Sequence, residues 1–266
     1  DRESAKAIID KVENMGVNYH LVIDSDKFKI SENSTITPQI NRQYEMPTIS
    51  FYSVNATFYK LVVKNFVERI FAFILFLSTL PLVIIAAIFI KLSTRGPVFF
   101  IQERVGLRNR RFKQYKLRTM IENADEKKKD LLHLNEQEGA AFKISNDPRV
   151  TKIGQILRKF SIDELPQLIN VLKGDLSFIG PRPEIPELVS AYANEIPYYN
   201  TRHLLKPGLS GWAQINNFDV PRGGVDVPRT IEKLSYDLFY LQRRSLLLDL
   251  HIALKTMAAI IMRTGS

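Results

Sequence analysis

Two adjacent carboxylates, Asp163 and Glu164, stand just ahead of Pro166, and Arg182 follows downstream between Pro181 and Pro183. A carboxylate pair can ligate a divalent cation, and an aspartate can attack phosphorus, splitting one difficult transfer into two steps. Cations crowd the pair in sequence: Arg149, Lys152, Arg158, Lys159 and Arg182. An arginine fork takes phosphate oxygens bidentately. Prolines on both sides restrict the backbone that presents Arg182. Together these residues suggest a diphosphate substrate with Mg²⁺, an ion that takes one or two carboxylates and fills its shell with phosphate oxygens. A plain structural alternative stands beside this. Asp163 is also a good N-cap for a helix from Glu164 to Leu172, Ser161 and Glu164 match a capping box, and Gly174 suits the stop. Either way the acids mark a helix N-terminus, where backbone N–H groups and the dipole favour anions.

The elements that position these groups are read from the rest of the chain. At 266 residues it is long enough for a sizeable core, and 45% hydrophobic content excludes a disordered protein. The balance of 37 basic to 28 acidic residues gives +9, which favours nucleic acid, acidic lipid headgroups or phosphorylated substrates as partners. There is no cysteine, so thiolate metal sites, thiol catalysis and disulfides are excluded.

Residues 70–90, "IFAFILFLSTLPLVIIAAIFI", carry no formal charge. A straight helix of that length reaches about 30 Å, the thickness of a bilayer core. Ser78, Thr79 and Pro81 sit at its middle, and proline predicts a kink or break. Both flanks are basic, with Lys60, Lys64 and Arg69 before and Lys91 and Arg95 after, so both ends favour the cytoplasm. A re-entrant hairpin over about 64–92 satisfies that pattern. A straight span is the alternative.

"SAKAIIDKVENMGVNYHLVID" reads as a helix, a stop at Gly16 and a strand from Tyr19 to Ile23, with "MPTISF" as a further strand and "SENSTITPQINRQ" as a loop. No secretory signal occupies the first 30 residues and no methionine opens the chain, which reads as a processed or truncated piece. Residues 1–58 are expected to be the tail of an N-terminal α/β domain and a linker, and 59–266 a membrane-associated unit. The segment "STRGPVFFIQERVGLRNRRFKQYKLRTM" alternates short β-like runs with basic turns, in which Arg108, Arg110, Arg111 and Lys113 suit either solvent or anionic headgroups. "ENADEKKKDLLHLNEQEG" reads as a charged, solvated helix. "DPRVTKIGQILRKF" sets Val150, Ile153, Ile156, Leu157 and Phe160 on one side. "RRSLLLDLHIALKTMAAIIMR" is apolar but broken by Asp249, His251 and Lys255, which fits a helix lying in the membrane interface or one packed on the core.

The order of four motifs carries a family resemblance: "GPVFFIQERVG", "FKQYKLRTM", "NDPRVTKIGQILRKFSIDELPQLINVLKGDLSFIGPRPE" and "KPGLSGWAQIN". Over roughly residues 64–264 the chain resembles the bacterial sugar transferases, the monotopic polyprenyl-phosphate phosphoglycosyltransferases. The resemblance implies an α/β fold: a mixed, helix-rich catalytic unit with a re-entrant membrane helix hairpin and interfacial amphipathic helices, here preceded by a remnant of an α/β domain. It implies transfer of a sugar 1-phosphate from a UDP-sugar to undecaprenyl phosphate with release of UMP, at the cytoplasmic face of a bacterial inner membrane.

By that resemblance Asp163 is the nucleophile and a ligand of Mg²⁺, and Glu164 is its dyad partner. Arg158 and Arg182 contact phosphate, and Lys116, Arg118 and Asp249 are further candidates for substrate contact. Partners would be the UDP-sugar, undecaprenyl phosphate and an anionic lipid bilayer. No nucleic-acid module is recognisable, and the sequence leaves a homo-oligomer open. Two departures stand out. Ser78 and Pro81 are separated by Thr79 and Leu80 where the family sets serine directly before proline, and "NFDVPRGGVDVPRT" replaces the usual continuation after "GWAQIN". The four histidines show no ligand spacing and read as surface residues, and Trp212 as a packing residue. Competing readings are a metal-dependent glycosyltransferase that releases UDP and a non-catalytic membrane scaffold in which the acids serve only as caps.

Overall fold

The computed structural model describes residues 19–22, 39–44, 46–51, 58–124, 126, 147–196, 198–216 and 227–261. The helix expected before Gly16, most of the charged segment after Ile121 and the divergent loop after Asn216 lie outside them.

Near the N-terminus β1 (Tyr19–Val22), β2 (Gln39–Tyr44) and β3 (Met46–Phe51) form an antiparallel sheet in the order β1-β3-β2. Two of these strands match the expectation. β2 falls in a stretch that reads as loop, where the polar composition of "QINRQY" hides the pairing of Ile40 with Ile49.

α1 (Phe58–Ser93) begins six residues earlier than expected and continues through Pro81 without a break in the helix. At about 1.5 Å per residue it is about 54 Å long. Its span from Val62 to Ser93 is long and apolar enough to cross a membrane by length and composition. Phe66, Ile70, Phe73, Ile74, Leu77, Ile84, Ile85, Ile88 and Phe89 are all exposed. At about 25 cal/mol per Å² such a belt is strongly unfavourable in water. At the proline turn Thr79 Oγ1 donates to Leu75 O at 2.7 Å, and Ser78 Oγ to the same oxygen at 2.9 Å. This back-bonding tends to bend helices.

Both halves of α1 pack on the same folded unit. Before the proline, Ala72, Leu75 and Phe76 meet Leu168, Val171 and Leu176. After it, Val83, Ala86 and Ile90 meet Leu117, Leu157 and Ile162. Polar ties hold the first half: Lys64 Nζ lies 2.7 Å from Asp249 Oδ2, Ser177 Oγ donates to Glu68 at 2.7 Å, and Lys206 Nζ donates to Asn65 Oδ1 at 3.0 Å.

The segment read as short β-like runs between basic turns forms a β-hairpin. β4 (Phe99–Val105) pairs in antiparallel register with β5 (Arg111–Leu117), so Phe100 faces Lys116 and Gln102 faces Gln114. Two left-handed residues, Arg108 and Asn109, turn the chain between them. α2 (Lys152–Lys159) starts at Thr151, whose hydroxyl caps Gly154 N at 2.9 Å. Of its expected apolar side, Leu157 is buried, but Ile156 and Phe160 are exposed, at 56% and 45%. Helical spacing gives them one side, but only the part of that side facing α1 finds partners.

α3 (Leu168–Lys173) ends at Gly174, which takes the left-handed conformation expected of a C-terminal stop. β6 (Ser177–Ile179) then pairs in parallel with β7 (Gly208–Ser210), with α4 (Pro186–Glu195) between them. Short α5 (Trp212–Ile215) leads towards α6 (Val227–Arg243), whose Leu234 and Leu238 pack on Val105, Val189, Tyr192 and Tyr199. Trp212 is a packing residue, its ring stacked 5.5 Å from that of Phe239.

The last helix, α7 (Leu246–Ile261), buries Ile252 and exposes Leu246, Leu247, Leu250, Leu254, Met257 and Ile260. Asp249 pairs with Lys64 and accepts from Tyr240 Oη at 2.6 Å. Burial and the neighbouring Asp249 push the Tyr240 hydroxyl well above its ordinary range, so it remains the donor.

Candidate active site

Ser161 takes a left-handed conformation and reverses the chain after α2, and the backbone then winds as a 3-10 helix from Ile162 to Gln167 before α3 begins. The expected helix start at Glu164 and the capping box are therefore not formed. Ser161 makes no side-chain cap bond, and Asp163 lies inside the 3-10 turn rather than at an N-cap. The tighter winding buries Asp163 to 7% exposure while leaving Glu164 partly open.

The hairpin and the 3-10 turn are fastened together. Gln114 Nε2 donates to Gln167 Oε1 at 2.9 Å in a buried contact. Fully buried Asn170 accepts from Tyr115 N at 3.2 Å and donates to Lys113 O at 2.7 Å. This register brings Lys116 Nζ to 2.6 Å from Glu164 Oε1. Arg182 Nη2 reaches the same oxygen at 3.7 Å from the Pro-Arg-Pro turn. Arg158 leaves the last turn of α2 and its Nε donates to Thr119 Oγ1 at 2.9 Å, at the end of β5. Gly154 makes that approach possible, because a Cβ there would lie 2.0 Å from Thr119 O.

Of the expected site residues, the structure joins Glu164, Lys116 and Arg182 directly, with Asp163 in the same turn and Arg158 at its entrance. It sets the others apart. Arg118 donates through Nη2 to Thr94 O at 3.1 Å and to Thr94 Oγ1 at 2.8 Å, closing the end of α1. Asp249 belongs to the Lys64–Tyr240 cluster. Arg149, one of the cations near the dyad in sequence, is buried in a fork with Asp147 at 2.6 Å, and Lys152 and Lys159 are exposed.

A second set of charges, which the sequence did not reveal, lies behind the Pro-Arg-Pro turn. Arg202 and Asp237 form an ion pair at 2.8 Å, each 2% exposed. Lys233 Nζ lies 2.5 Å from Glu184 Oε1, and Arg104 Nη1 4.0 Å from Glu184 Oε2. Burial opposes the charge on Glu184, yet Lys233, Arg202 and Arg104 hold its pKa down to about 2. Burial likewise opposes the charge on Arg202, and Tyr199, Asp237 and Glu184 keep it firmly protonated. His203, expected at the surface, is 5% exposed, and neither ring nitrogen has a hydrogen-bond partner among the described residues. Burial, then the charge of Arg202, pushes it down to about 3.

The sequence matches a known family. A model of the bacterial sugar transferase family matches residues 59–263, and the chain belongs to that family. It is 44% identical over 186 residues to a UDP-N-acetylgalactosamine-undecaprenyl-phosphate N-acetylgalactosaminephosphotransferase of Aeromonas hydrophila, covering 70% of this chain and 40% of that protein. It is 35% identical over 261 residues to a UDP-glucose:undecaprenyl-phosphate glucose-1-phosphate transferase of Xanthomonas campestris pv. campestris, covering 96% of this chain and 50% of that protein. The exopolysaccharide production protein ExoY of Rhizobium meliloti is 37% identical over 190 residues, covering 70% of this chain and 80% of the relative. The chain thus spans about half the length, or less, of the first two of these relatives.

Proposed function

We propose that the protein transfers a sugar 1-phosphate from a UDP-sugar to undecaprenyl phosphate, with Asp163 as nucleophile. The observation that carries this reading is the 3-10 turn that recesses Asp163 next to Glu164, whose carboxylate meets Lys116 and Arg182 from two other segments. The names of the relatives support the substrate pair and make UDP-glucose and UDP-N-acetylgalactosamine the first donors to try.

In the first half-reaction an Asp163 carboxylate oxygen attacks the sugar-bearing phosphorus of the donor. The bond from that phosphorus to the bridging oxygen breaks, and UMP leaves with the bond's electrons. In the second, an oxygen of the polyprenyl phosphate attacks the same phosphorus, the acyl-phosphate bond breaks and Asp163 is restored. A carboxylate and a diphosphate repel one another. Arg182 and Arg158 reduce that repulsion by taking phosphate oxygens, and a preorganised cation does so without reorganising during the reaction. Lys116 donates to Glu164 and fixes its orientation for the incoming acceptor.

Among the described residues no cluster of three or more potential ligands forms a protein-only metal cage. The adjacent carboxylates of Asp163 and Glu164 fit the other mode of Mg²⁺ binding, in which substrate phosphates complete the shell. When bound there, Mg²⁺ would neutralise diphosphate charge.

The site lies beside a membrane surface. α1 supplies the apolar belt, and α7, with Ile156 and Phe160, supplies further exposed apolar side chains. The packing of both halves of α1 on one unit supports a re-entrant helix that enters and leaves on the cytoplasmic face. Between the packed residues Phe76 and Val83 the helix advances only about 10 Å, far short of a bilayer core.

The test is the nucleotide product. Membranes carrying the whole protein are incubated with undecaprenyl phosphate and UDP-glucose or UDP-N-acetylgalactosamine labelled in the uracil. Labelled UMP with lipid-linked sugar diphosphate is expected. Labelled UDP would identify cleavage of the sugar C1–O bond instead and overturn the reading.

A further inference from the structure

The Pro181–Pro183 segment poses a problem of attachment. Two of its three residues lack an N–H, so it offers almost no donors by which the fold can hold it. What it offers is carbonyls, and the structure uses them all. Pro181 O accepts from Gly208 N at 2.9 Å, Arg182 O from Arg202 Nη2 at 2.8 Å and Pro183 O from Arg104 Nη1 at 3.2 Å. The next carbonyl, of Glu184, accepts from Val105 N at 2.9 Å. Two of these four donors are guanidinium groups drawn from distant parts of the chain.

Arg202 is held in turn by three further contacts. Its Nε and Nη2 meet Asp237 Oδ2 at 2.9 and 2.8 Å, and its Nη1 donates to Tyr199 Oη at 3.0 Å. A planar fork bonded on three sides has one orientation, which a lysine in its place would not reproduce. Replacing a buried ion pair by packed apolar groups often leaves stability unchanged or raises it, so the pair is not explained by stability alone. It is explained by the need for a fixed interior donor at Arg182 O.

We propose that Arg202, with Arg104 one carbonyl further on, is a positioning residue that sets the backbone of Arg182 and so the reach of its side chain to the substrate phosphate. The proposal rests on the reading of Arg182 as a phosphate ligand. Neither Arg202 nor Arg104 touches substrate in it.

The experiment is a double-mutant cycle on the whole enzyme in membranes. It reads kcat and KM separately, with whichever of UDP-glucose and UDP-N-acetylgalactosamine the wild type turns over. Arg202→Lys is expected to lower kcat/KM at least ten-fold. Added to Arg182→Lys, it should lower kcat/KM no more than about two-fold further, because a residue that acts through Arg182 has nothing left to position. Losses that multiply would show a general structural effect and overturn the proposal, as would an Arg202→Lys variant within two-fold of wild type. If Arg202→Lys does not accumulate as folded protein, Arg104→Met replaces it in the same cycle, since that side chain is partly exposed. Losses that fail to multiply would then support the proposal, and losses that multiply would overturn it. An Arg182→Lys variant with wild-type kcat/KM would overturn the phosphate reading itself, visible in that single variant, and the positioning role with it.

Discussion

Lys116 Nζ lies 2.6 Å from Glu164 Oε1, a contact between a hairpin strand and a 3-10 turn that stand 48 residues apart in the chain. The hairpin thereby reaches Glu164 through Lys116, the strand residue that the family resemblance marks for substrate contact. A charge-assisted bond of this kind contributes about 1.5–3 kcal/mol, so Lys116→Met is expected to lower kcat/KM roughly ten- to hundred-fold. Steady-state kinetics check this, and full activity in the variant would make the contact incidental.

Topology gives a second expectation. Cysteines introduced at Lys60 and Arg95, in a chain with no cysteine of its own, should both react with an impermeant maleimide from the cytoplasmic side of inverted vesicles. Labelling of one from each side would establish a straight span. Pro81→Leu removes the residue that breaks the helix hydrogen-bond pattern and should favour that straight form.

Gly154 tests the seat of Arg158. Alanine there gains up to about 1 kcal/mol of helix propensity, but its Cβ meets the backbone oxygen of Thr119 at 2.0 Å and the carbonyl carbon at 2.7 Å. Backbone cannot swing aside as a side chain does, and overpacking costs about 1–3 kcal/mol. Gly154→Ala should therefore lower the denaturation midpoint in detergent and weaken catalysis together, because Thr119 accepts from Arg158. An unchanged midpoint would show that α2 shifts freely against β5.

Acid sensitivity should trace to His203. Its pKa is about 3 in the fold, lowered by burial and by Arg202, against about 6.5 in the unfolded chain. The unfolded state therefore binds more protons between those values, and stability is lost as pH falls below 6.5, by up to about 1.4 kcal/mol per pH unit. The contribution of Glu184, with a folded pKa of about 2, is present above about 4.5 and fades only below it. His203→Leu should flatten the decline between pH 6.5 and 4.5 and leave the steeper loss below. A variant that declines like the wild type would place the sensitivity elsewhere.

Much of this site was legible in the sequence where the signal is local. Adjacent acids, an arginine between prolines, an apolar run with central proline and a glycine stop each announce themselves within a few residues. The winding at Ser161 was not legible, because Ser161 and Glu164 fit a capping box as well as a left-handed turn. Nor were the pairs that close the structure over long distances. Lys64 and Asp249 are 185 residues apart, and Arg202 and Asp237 are 35 apart. Charge patterns show that such groups exist but not which of them the fold brings together. His203 illustrates the same limit: a lone histidine reads as surface until its neighbours enclose it.

The central claim is that Asp163 becomes covalently phosphorylated by the sugar phosphate. Its most direct test is mass spectrometry of enzyme quenched after mixing with UDP-sugar in the absence of undecaprenyl phosphate. A sugar-phosphate adduct on the peptide containing Asp163, one UMP per enzyme, and loss of both in Asp163→Asn are the results expected. UMP that forms only when undecaprenyl phosphate is present, with no adduct trapped, would contradict the claim and establish a direct, single-step transfer.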